Sequence, residues 1–293
     1  MSKLAYRHPE ALVSTEWLAA HLTDPGLRIF DCTTYLIYET GTGRPYRVEN
    51  AQADYDKGHI PNSALIDLNG ELSDTAKPTS FMMLAPDELA RRVAAKGIGD
   101  GTRVILYSRK TMQWATRVWW MLRSIGFDNA AVLDGGFDKW ASEGRPIETK
   151  VTVYPAAKLV AKPRPGLFVG KEEMKAAIGD TMACSINALA PDLHNGSNDR
   201  YGRPGRIPGS VNVPAAALQD PKTLTMLPPD KVAATFAGVG ADTSKRILIY
   251  CGGGIAATLD AFLLWQLGYE NIAVYDASMS EWAKDASLPV EVG

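Results

Sequence analysis

Short apolar runs rich in β-branched residues alternate along the chain with stretches of helical periodicity. The runs "RVILY" (103–107) and "RILIY" (246–250) each have the length and composition of a buried strand. Residues 116–126 and 259–268 follow them, and each carries an apolar stripe at helical spacing. This alternation predicts an α/β fold, with mainly parallel sheets flanked by helices on both faces.

The pattern occurs twice. Residues 103–140 match 246–282 in their order of strand, loop, helix and second strand, and residues 58–68 match 205–215. Copies this long are duplicated domains rather than solenoid repeats. The proline-containing stretch between them has no helical period, which indicates an extended linker. The sequence therefore predicts an N-terminal domain over residues 1–147, a linker over 148–168 and a C-terminal domain over 169–293.

Composition narrows the class of protein. The chain has 293 residues and a formal net charge of −2, so no basic field attracts nucleic acid or an anionic membrane. No apolar run reaches the roughly 18–20 residues that span a bilayer, and residues 1–22 lack the apolar core of a signal peptide. We therefore expect a cytoplasmic protein that binds neither nucleic acid nor a membrane. The three cysteines and four histidines show no metal-ligand spacing, so we expect no metal.

Cys251 lies where the predicted strand 246–250 ends. Gly252, Gly253 and Gly254 follow it, and Ile255, Ala256 and Ala257 begin a helical pattern. Ligands bind at the carboxyl ends of parallel strands, and the first N–H groups of a helix have no internal partner. Such a loop favours a thiolate and can hold a negative sulfur attached to it. Cys32 and Cys184 lie in or after apolar runs without a glycine loop, so we expect them to be structural.

Other known types of glycine-rich or cysteine-containing loop match this sequence less well. A Walker loop needs a lysine that is missing here, and a dinucleotide loop needs a different glycine spacing early in its domain. A cysteine-dependent phosphatase needs an arginine six residues after the cysteine, where this chain has Ala257.

The motifs together resemble the rhodanese superfamily in its tandem form, the thiosulfate and 3-mercaptopyruvate sulfurtransferases. The resemblance covers nearly the whole chain and is carried by "DYDKGHIPNSALIDL", "RVWWMLRSIGFDNAAVLDGGFDKW", "GRIPGSVNVP", "YCGGGIAAT" and "YDASMSEW". It implies an inactive N-terminal domain with Ser108 at the cysteine position and a catalytic C-terminal domain. It also implies sulfur transfer through a Cys251 persulfide, without a cofactor. The implied donors are small sulfur compounds, and the acceptors are cyanide, a thiol, thioredoxin or another protein that accepts a persulfide sulfur.

The loop departs from the family pattern. Thiosulfate-type enzymes commonly have C-R-K-G-V-T and mercaptopyruvate-type enzymes C-G-S-G-V-T, whereas this chain has C-G-G-G-I-A. Asn69 replaces the aspartate that partners the loop serine of the mercaptopyruvate type. The usual groups that distinguish the donors are therefore missing. The resemblance makes Arg200, the first choice, and Arg206 candidates for binding an anionic donor, and Asn69, Arg109 and Lys110 are candidates from the other domain.

An alternative function stays open. A loop of small residues without a proton relay suggests an open site that suits a bulky donor. Such a site fits a non-catalytic sulfur carrier or thiol sensor that receives sulfur from a partner protein.

Overall fold

The structure is a computed structural model that describes residues 4–38 and 45–293. Its first half contains a sheet in which all neighbouring strands run parallel, in the order β1-β7-β6-β2-β5, and β3 and β4 form an antiparallel pair beside it. The strands are β1 (Leu12–Val13), β2 (Leu27–Asp31), β3 (Thr34–Ile37), β4 (Arg47–Asn50), β5 (Ser63–Leu65), β6 (Arg103–Tyr107) and β7 (Ala130–Leu133). The helices are α1 (Thr15–His21), α2 (Gln52–Lys57), α3 (Leu68–Glu71), α4 (Pro86–Ala95), α5 (Gln113–Ser124) and α6 (Gly136–Ser142).

The second half repeats this design. Its parallel sheet has the order β8-β12-β11-β9-β10. The strands are β8 (Phe168–Val169), β9 (Ala183–Asn187), β10 (Val211–Asn212), β11 (Arg246–Tyr250) and β12 (Ile272–Tyr275). The helices are α7 (Lys171–Ala176), α8 (Pro191–Asn195), α9 (Pro229–Gly238), α10 (Ala256–Gln266) and α11 (Ser278–Trp282). Two short 3₁₀ turns lie at Pro9–Ala11 and Ala215–Leu218.

The two sheets have the same topology, because β1, β7, β6, β2 and β5 correspond in order to β8, β12, β11, β9 and β10. The parallel sheets and flanking helices expected from the alternating pattern are therefore confirmed. The central strands β6 and β11 are buried along nearly their whole length, as expected for strands covered on both faces. In the described part of the chain, no helix is long and apolar enough to cross a membrane.

Helices α5 and α10 pack against each other where the two halves meet. The Thr116 and Thr258 hydroxyl oxygens lie 3.1 Å apart, and the rings of Trp119 and Phe262 meet edge to face at 4.9 Å. Both helices are buried on almost every side, since each packs on its own sheet and on the other helix. The single apolar stripe expected on each helix therefore covers less of the helix surface than is actually buried. Because of this contact, the loop between β11 and α10 lies next to the first half.

Residues 149–164 form neither helix nor strand and follow the surface of the first half. The Ala157 N–H donates to the Ala94 carbonyl at the end of α4, and the Lys162 N–H donates to the Ile125 carbonyl after α5, both at 2.8 Å. Phe168 already belongs to β8, which pairs with β12 in the second sheet. The domain limits drawn from the sequence stay predictions.

Candidate active site

Cys251 is the first residue after β11, and its loop ends at Ile255, where α10 begins. The helix starts where the sequence predicts it. The residue is 2% exposed, and neighbouring loop residues are buried as well. The thiol therefore lies inside the protein, at the carboxyl edge of the second sheet and at the N-terminus of an 11-residue helix. This end of the helix carries the positive part of its dipole, which favours a negative sulfur.

Three carbonyl groups of the loop are held from outside. The Cys251 carbonyl accepts from the Met279 N–H at 3.0 Å, and the Gly252 carbonyl accepts from the Ser280 N–H at 2.8 Å. The Gly254 carbonyl accepts from the Arg117 guanidinium at 3.0 Å. In a trans peptide the carbonyl and the following N–H point in opposite directions. The N–H groups after these three carbonyls are therefore turned away from α11 and Arg117.

Those N–H groups belong to Gly252, Gly253 and Ile255. No acceptor engages them among the described residues, nor the N–H groups of Ala256 and Ala257 at the helix start. Buried N–H groups without a partner are rare in folded proteins, and a set of them at a helix start is a geometry that can hold an anion.

Ser278 fixes the remaining N–H groups of the loop. Its hydroxyl oxygen accepts from the N–H groups of Cys251 at 3.0 Å and Gly254 at 3.2 Å, and it donates to the Tyr275 carbonyl at 2.7 Å. The residue is fully buried and adopts a positive φ of 51°. Ser278 was not predicted from the sequence. It lies in "YDASMSEW", one of the stretches that carry the family resemblance, which is the signal that could have found it.

Arg117 extends into the site from the first half. It is fully buried on α5 and donates to the Gly254 carbonyl, to the Phe81 carbonyl at 2.6 Å, and to the Asp276 carboxylate at 2.6 Å. The other oxygen of Asp276 accepts the Met83 N–H at 2.8 Å. The first half therefore helps to hold the loop that carries Cys251. Sequence reasoning placed Arg117 in a helix but assigned it no role.

The loop glycines do not leave the site open. A Cβ atom on Gly252 would overlap the Tyr201 hydroxyl, and one on Gly253 would lie 2.7 Å from the Tyr46 hydroxyl oxygen. A Cβ atom on Gly254, which has a φ of 71°, would overlap the Asp276 carbonyl oxygen. Small residues are needed here because other side chains fill the space. The open loop expected from the sequence is wrong.

A polar cavity of about 510 Å³ lies on the far side of Tyr46 and Ser280, and none of residues 251–257 lines it. Tyr46 and Ser280, which both lie near the position of a Gly253 Cβ, form part of its wall, and Asn69 on α3 lines it too. Lys77 and Lys284 add positive charge to the wall. The structure thus brings Asn69, a candidate from the sequence, to this cavity. Tyr46 and Ser280 therefore stand between this polar space and the loop that carries Cys251.

The two candidate arginines of the second half, Arg200 and Arg206, have different surroundings. Arg200 directly precedes Tyr201 in the chain. Its guanidinium lies over the ring of Tyr38, 4.0 Å from the ring centre. Arg206 instead forms an ion pair with Glu291, and no contact with the Cys251 loop is found for it within residues 4–38 and 45–293. The structure therefore does not support the binding role expected for Arg206. Its backbone bridge to Glu291 corresponds to the bridge between His59 and Glu148 in the first half.

The other two cysteines are buried in the sheets. Burial raises the pKa of Cys32, which lies after β2, well above its usual value, and it also raises the pKa of Cys184 on β9. Neither thiol is favoured as a nucleophile. Among the described residues, no group of histidine, cysteine or carboxylate side chains could hold a metal ion.

Comparison with known proteins identifies the family. The model of the rhodanese-like domain matches residues 14–143 and 192–285. The chain belongs to the rhodanese family. It is 31% identical to 3-mercaptopyruvate sulfurtransferase of Escherichia coli (strain K12), over 95% of this chain and 97% of the relative. It is 27% identical to the sulfur carrier protein TtuD of Thermus thermophilus, over 99% of both chains.

A crystal structure of SseA, a 3-mercaptopyruvate sulfotransferase of Escherichia coli, superposes on this rhodanese-family chain with a TM-score of 0.78. The two are 28% identical, and the match covers 92% of this chain and 98% of that one. The tandem rhodanese fold and the enzyme class inferred from the sequence, a sulfurtransferase, agree with these relatives.

The loop after β6 in the first rhodanese-like half has different chemistry. The Ser108 hydroxyl donates to the Thr111 carbonyl at 2.5 Å, with no base beside it in the described structure. Arg109 pairs with the buried Asp31 at 3.2 Å, so a side chain fills this loop. The ammonium of Lys110 lies 5.2 Å from the ring centre of Tyr35. None of the contacts of these residues joins them to the Cys251 loop.

Proposed function

We propose that this protein transfers a sulfane sulfur through a persulfide on Cys251. One observation carries the proposal: the buried thiol lies beside a set of N–H groups, at the N-terminus of α10, for which the described residues provide no acceptor. A negatively charged terminal sulfur supplies the acceptor that these groups lack. Their fixed orientation stabilises it without reorganisation, as in an oxyanion hole.

The reaction has two half-reactions. In the first, the Cys251 thiolate attacks the outer sulfur of the donor, and an S–S bond forms. The bond between that sulfur and the rest of the donor breaks, and its electron pair leaves with sulfite, with the enolate of pyruvate or with a thiolate. In the second, cyanide or a thiol attacks the terminal sulfur and releases the Cys251 thiolate. Thiosulfate, 3-mercaptopyruvate and a low-molecular-weight persulfide are the proposed donors.

The burial of the thiol favours small donors. Cys251 is 2% exposed, the Tyr46 and Tyr201 phenols pack against the two residues that follow it, and the cavity beyond Tyr46 has room only for a small molecule. A protein cysteine would reach this sulfur only after these side chains moved. The alternative, a sulfur carrier loaded by a partner protein, is supported by the likeness to TtuD. A phosphatase is disfavoured, because Ala257 stands where the phosphate-binding arginine is needed.

A donor screen tests the proposal. The protein is incubated with thiosulfate, 3-mercaptopyruvate or glutathione persulfide, and the peptide containing Cys251 is analysed by mass spectrometry. We expect at least one donor to add the mass of one sulfur atom and to support turnover with cyanide. Cys251→Ser should abolish both effects, whereas the matched control Cys184→Ser should retain them. If no small donor loads Cys251 but a partner protein does, the carrier function replaces the enzymatic one.

The partners and the location belong to the same proposal. We expect a thiol, cyanide, thioredoxin or another protein acceptor to take the sulfur in the cytoplasm. Isolation of acceptor proteins that become persulfidated by the loaded protein, and not by the Cys251→Ser variant, tests this expectation.

A further inference from the structure

Two phenol groups occupy the space that side chains on the loop would fill. The Tyr201 hydroxyl lies where a Cβ of Gly252 would be, and the Tyr46 hydroxyl oxygen is 2.7 Å from the Cβ position of Gly253. Tyr46 precedes β4 in the first half, and Tyr201 lies between α8 and β10 in the second. Polar groups from two distant segments therefore face the two residues that directly follow Cys251.

A third hydroxyl completes this group. Ser280 Oγ is 3.9 Å from the Cβ position of Gly253, and Ser280 is 3% exposed. The oxygen faces the Tyr46 phenol closely enough to lower the pKa of that group, but it makes no well-aligned hydrogen bond to any described residue. A buried hydroxyl without a partner costs about 1–3 kcal/mol. Such a group in the wall of a cavity indicates a ligand that supplies the missing partner.

Both phenols are suited to donate rather than accept. Burial raises the pKa of Tyr46 to about 12; the Ser280 hydroxyl lowers this pKa by less, and a negative charge on Cys251 adds to the rise. The pKa of Tyr201 is raised well above its usual value by burial, by Tyr46 and by the charge on Cys251. The two groups are therefore protonated at neutral pH. The influence of Cys251 on both also shows that the phenols lie within electrostatic reach of its sulfur.

We infer that the hydroxyls of Tyr46, Tyr201 and Ser280, here called the hydroxyl cluster, donate hydrogen bonds to the sulfur that Cys251 receives and to the donor that delivers it. The inference rests on the proposed function. In the transfer step the cluster keeps its protons, while the S–S bond forms and the electron pair of the broken bond leaves with the rest of the donor. The cluster replaces the polar side chains that the glycine loop lacks.

The conservative variants Tyr46→Phe, Tyr201→Phe and Ser280→Ala test the inference. Each removes one hydroxyl and keeps the rest of the packing. A hydrogen bond to a charged group is worth enough to change a rate by about 10- to 100-fold. We expect each variant to lose kcat by about this factor with thiosulfate or 3-mercaptopyruvate as donor, and to load Cys251 more slowly in mass spectrometry.

The variant Ser280→Ala separates function from folding. Because the only partner of Ser280 Oγ in the described structure is a poorly aligned contact with Tyr46, its loss costs little stability, and we expect a melting temperature close to that of the parent with a lower kcat. The matched control is Tyr269→Phe, whose hydroxyl bonds the Ala241 carbonyl before β11, at the end of that strand opposite to Cys251. This control should retain the kcat of the parent.

The outcomes are distinguishable. If the parent protein loads no sulfur on Cys251 from any donor, the proposed function fails, and the inference fails with it. If the parent loads sulfur and all three variants match its kcat and loading rate within twofold, the inference alone is overturned. A loss of kcat in Ser280→Ala at an unchanged melting temperature supports it.

Discussion

Arg117 offers the sharpest test of how the two halves cooperate. Replacing it with methionine keeps a long, flexible side chain in the same space but removes every donor. The variant loses the hydrogen bonds to Gly254 and Phe81 and the ion pair with Asp276. The perturbation therefore acts on the contact through which the first half holds the Cys251 loop.

The expected loss of stability follows from burial. Breaking a buried ion pair by removing one partner costs about 3–5 kcal/mol, because the remaining charge is left buried. Among the described residues, the Asp276 carboxylate would keep only the Met83 N–H as a partner. We expect the free energy of unfolding of Arg117→Met to fall by about 3–5 kcal/mol. The double variant Arg117→Met/Asp276→Asn should lose less, since no uncompensated charge remains.

The loop should respond as well. Without Arg117 the Gly254 carbonyl loses its donor, and the peptide that carries the Ile255 N–H is free to rotate. A single donor of an oxyanion hole is worth about 10²–10³ in kcat when it is removed outright. A donor that has only lost its fixed orientation should cost less, so we expect a drop in sulfur transfer of about tenfold.

Two measurements check this prediction. Urea unfolding followed by tryptophan fluorescence gives the change in stability, and sulfur loading without urea gives the change in function. The control is Arg164→Met, which removes an exposed ion pair with Asp128 and should cost no more than about 1 kcal/mol. If Arg117→Met unfolds within 1 kcal/mol of the parent and loads sulfur at the same rate, the first half does not hold the loop.

Three further predictions concern other parts of the structure. Gly254→Ala should lower the free energy of unfolding more than the control Gly179→Ala, for which we expect a loss of roughly 1 kcal/mol from backbone strain. Both glycines have a positive φ, but of the two only Gly254 has another atom within contact distance of the added methyl group. Equal melting temperatures would contradict this. Burial raises the pKa of Asp134 to about 6; its protonation therefore favours the folded state below about pH 4, and this contribution is lost as the pH rises through 6. Asp134→Asn, which keeps an oxygen for the Met226 N–H, should be more stable than the parent above pH 7, by up to about 3 kcal/mol, and equal to it below pH 4; parallel stability profiles would refute this. Arg206→Gln should lower the melting temperature by breaking the pair with Glu291 and leave KM for the donor within twofold; a large rise in KM would restore the binding role expected from the sequence.

Much of the fold was predictable because its signals are local. A run such as "RILIY" followed by glycines and a helical pattern indicates a strand, a turn and a helix wherever it occurs. Parallel strands then require helices as crossovers, and duplication of the pattern gives two equivalent sheets. The place of Cys251, at a strand end and before α10, follows from the same reasoning.

The partners of the site residues were harder to predict. Arg206 resembles a donor-binding arginine by its position in the chain, yet its guanidinium turns to Glu291 at the C-terminal end. Lys110 follows Ser108 in the equivalent loop and lies over Tyr35. A sequence motif fixes the backbone position of a cation, but the direction of a long side chain depends on the opposite charges that packing brings near it.

The sequence by itself determined the duplicated α/β architecture, the cysteine at the end of β11 and the turn that its glycines permit. Only the tertiary structure decided what surrounds that turn. Arg117 reaches Gly254 across 137 positions of the chain, and the Tyr46 hydroxyl meets Gly253 from the other half. Such contacts depend on how α5 docks on α10, a property of two complete folded sheets. No local pattern encodes it, because the free energy of docking is summed over residues far apart in the chain.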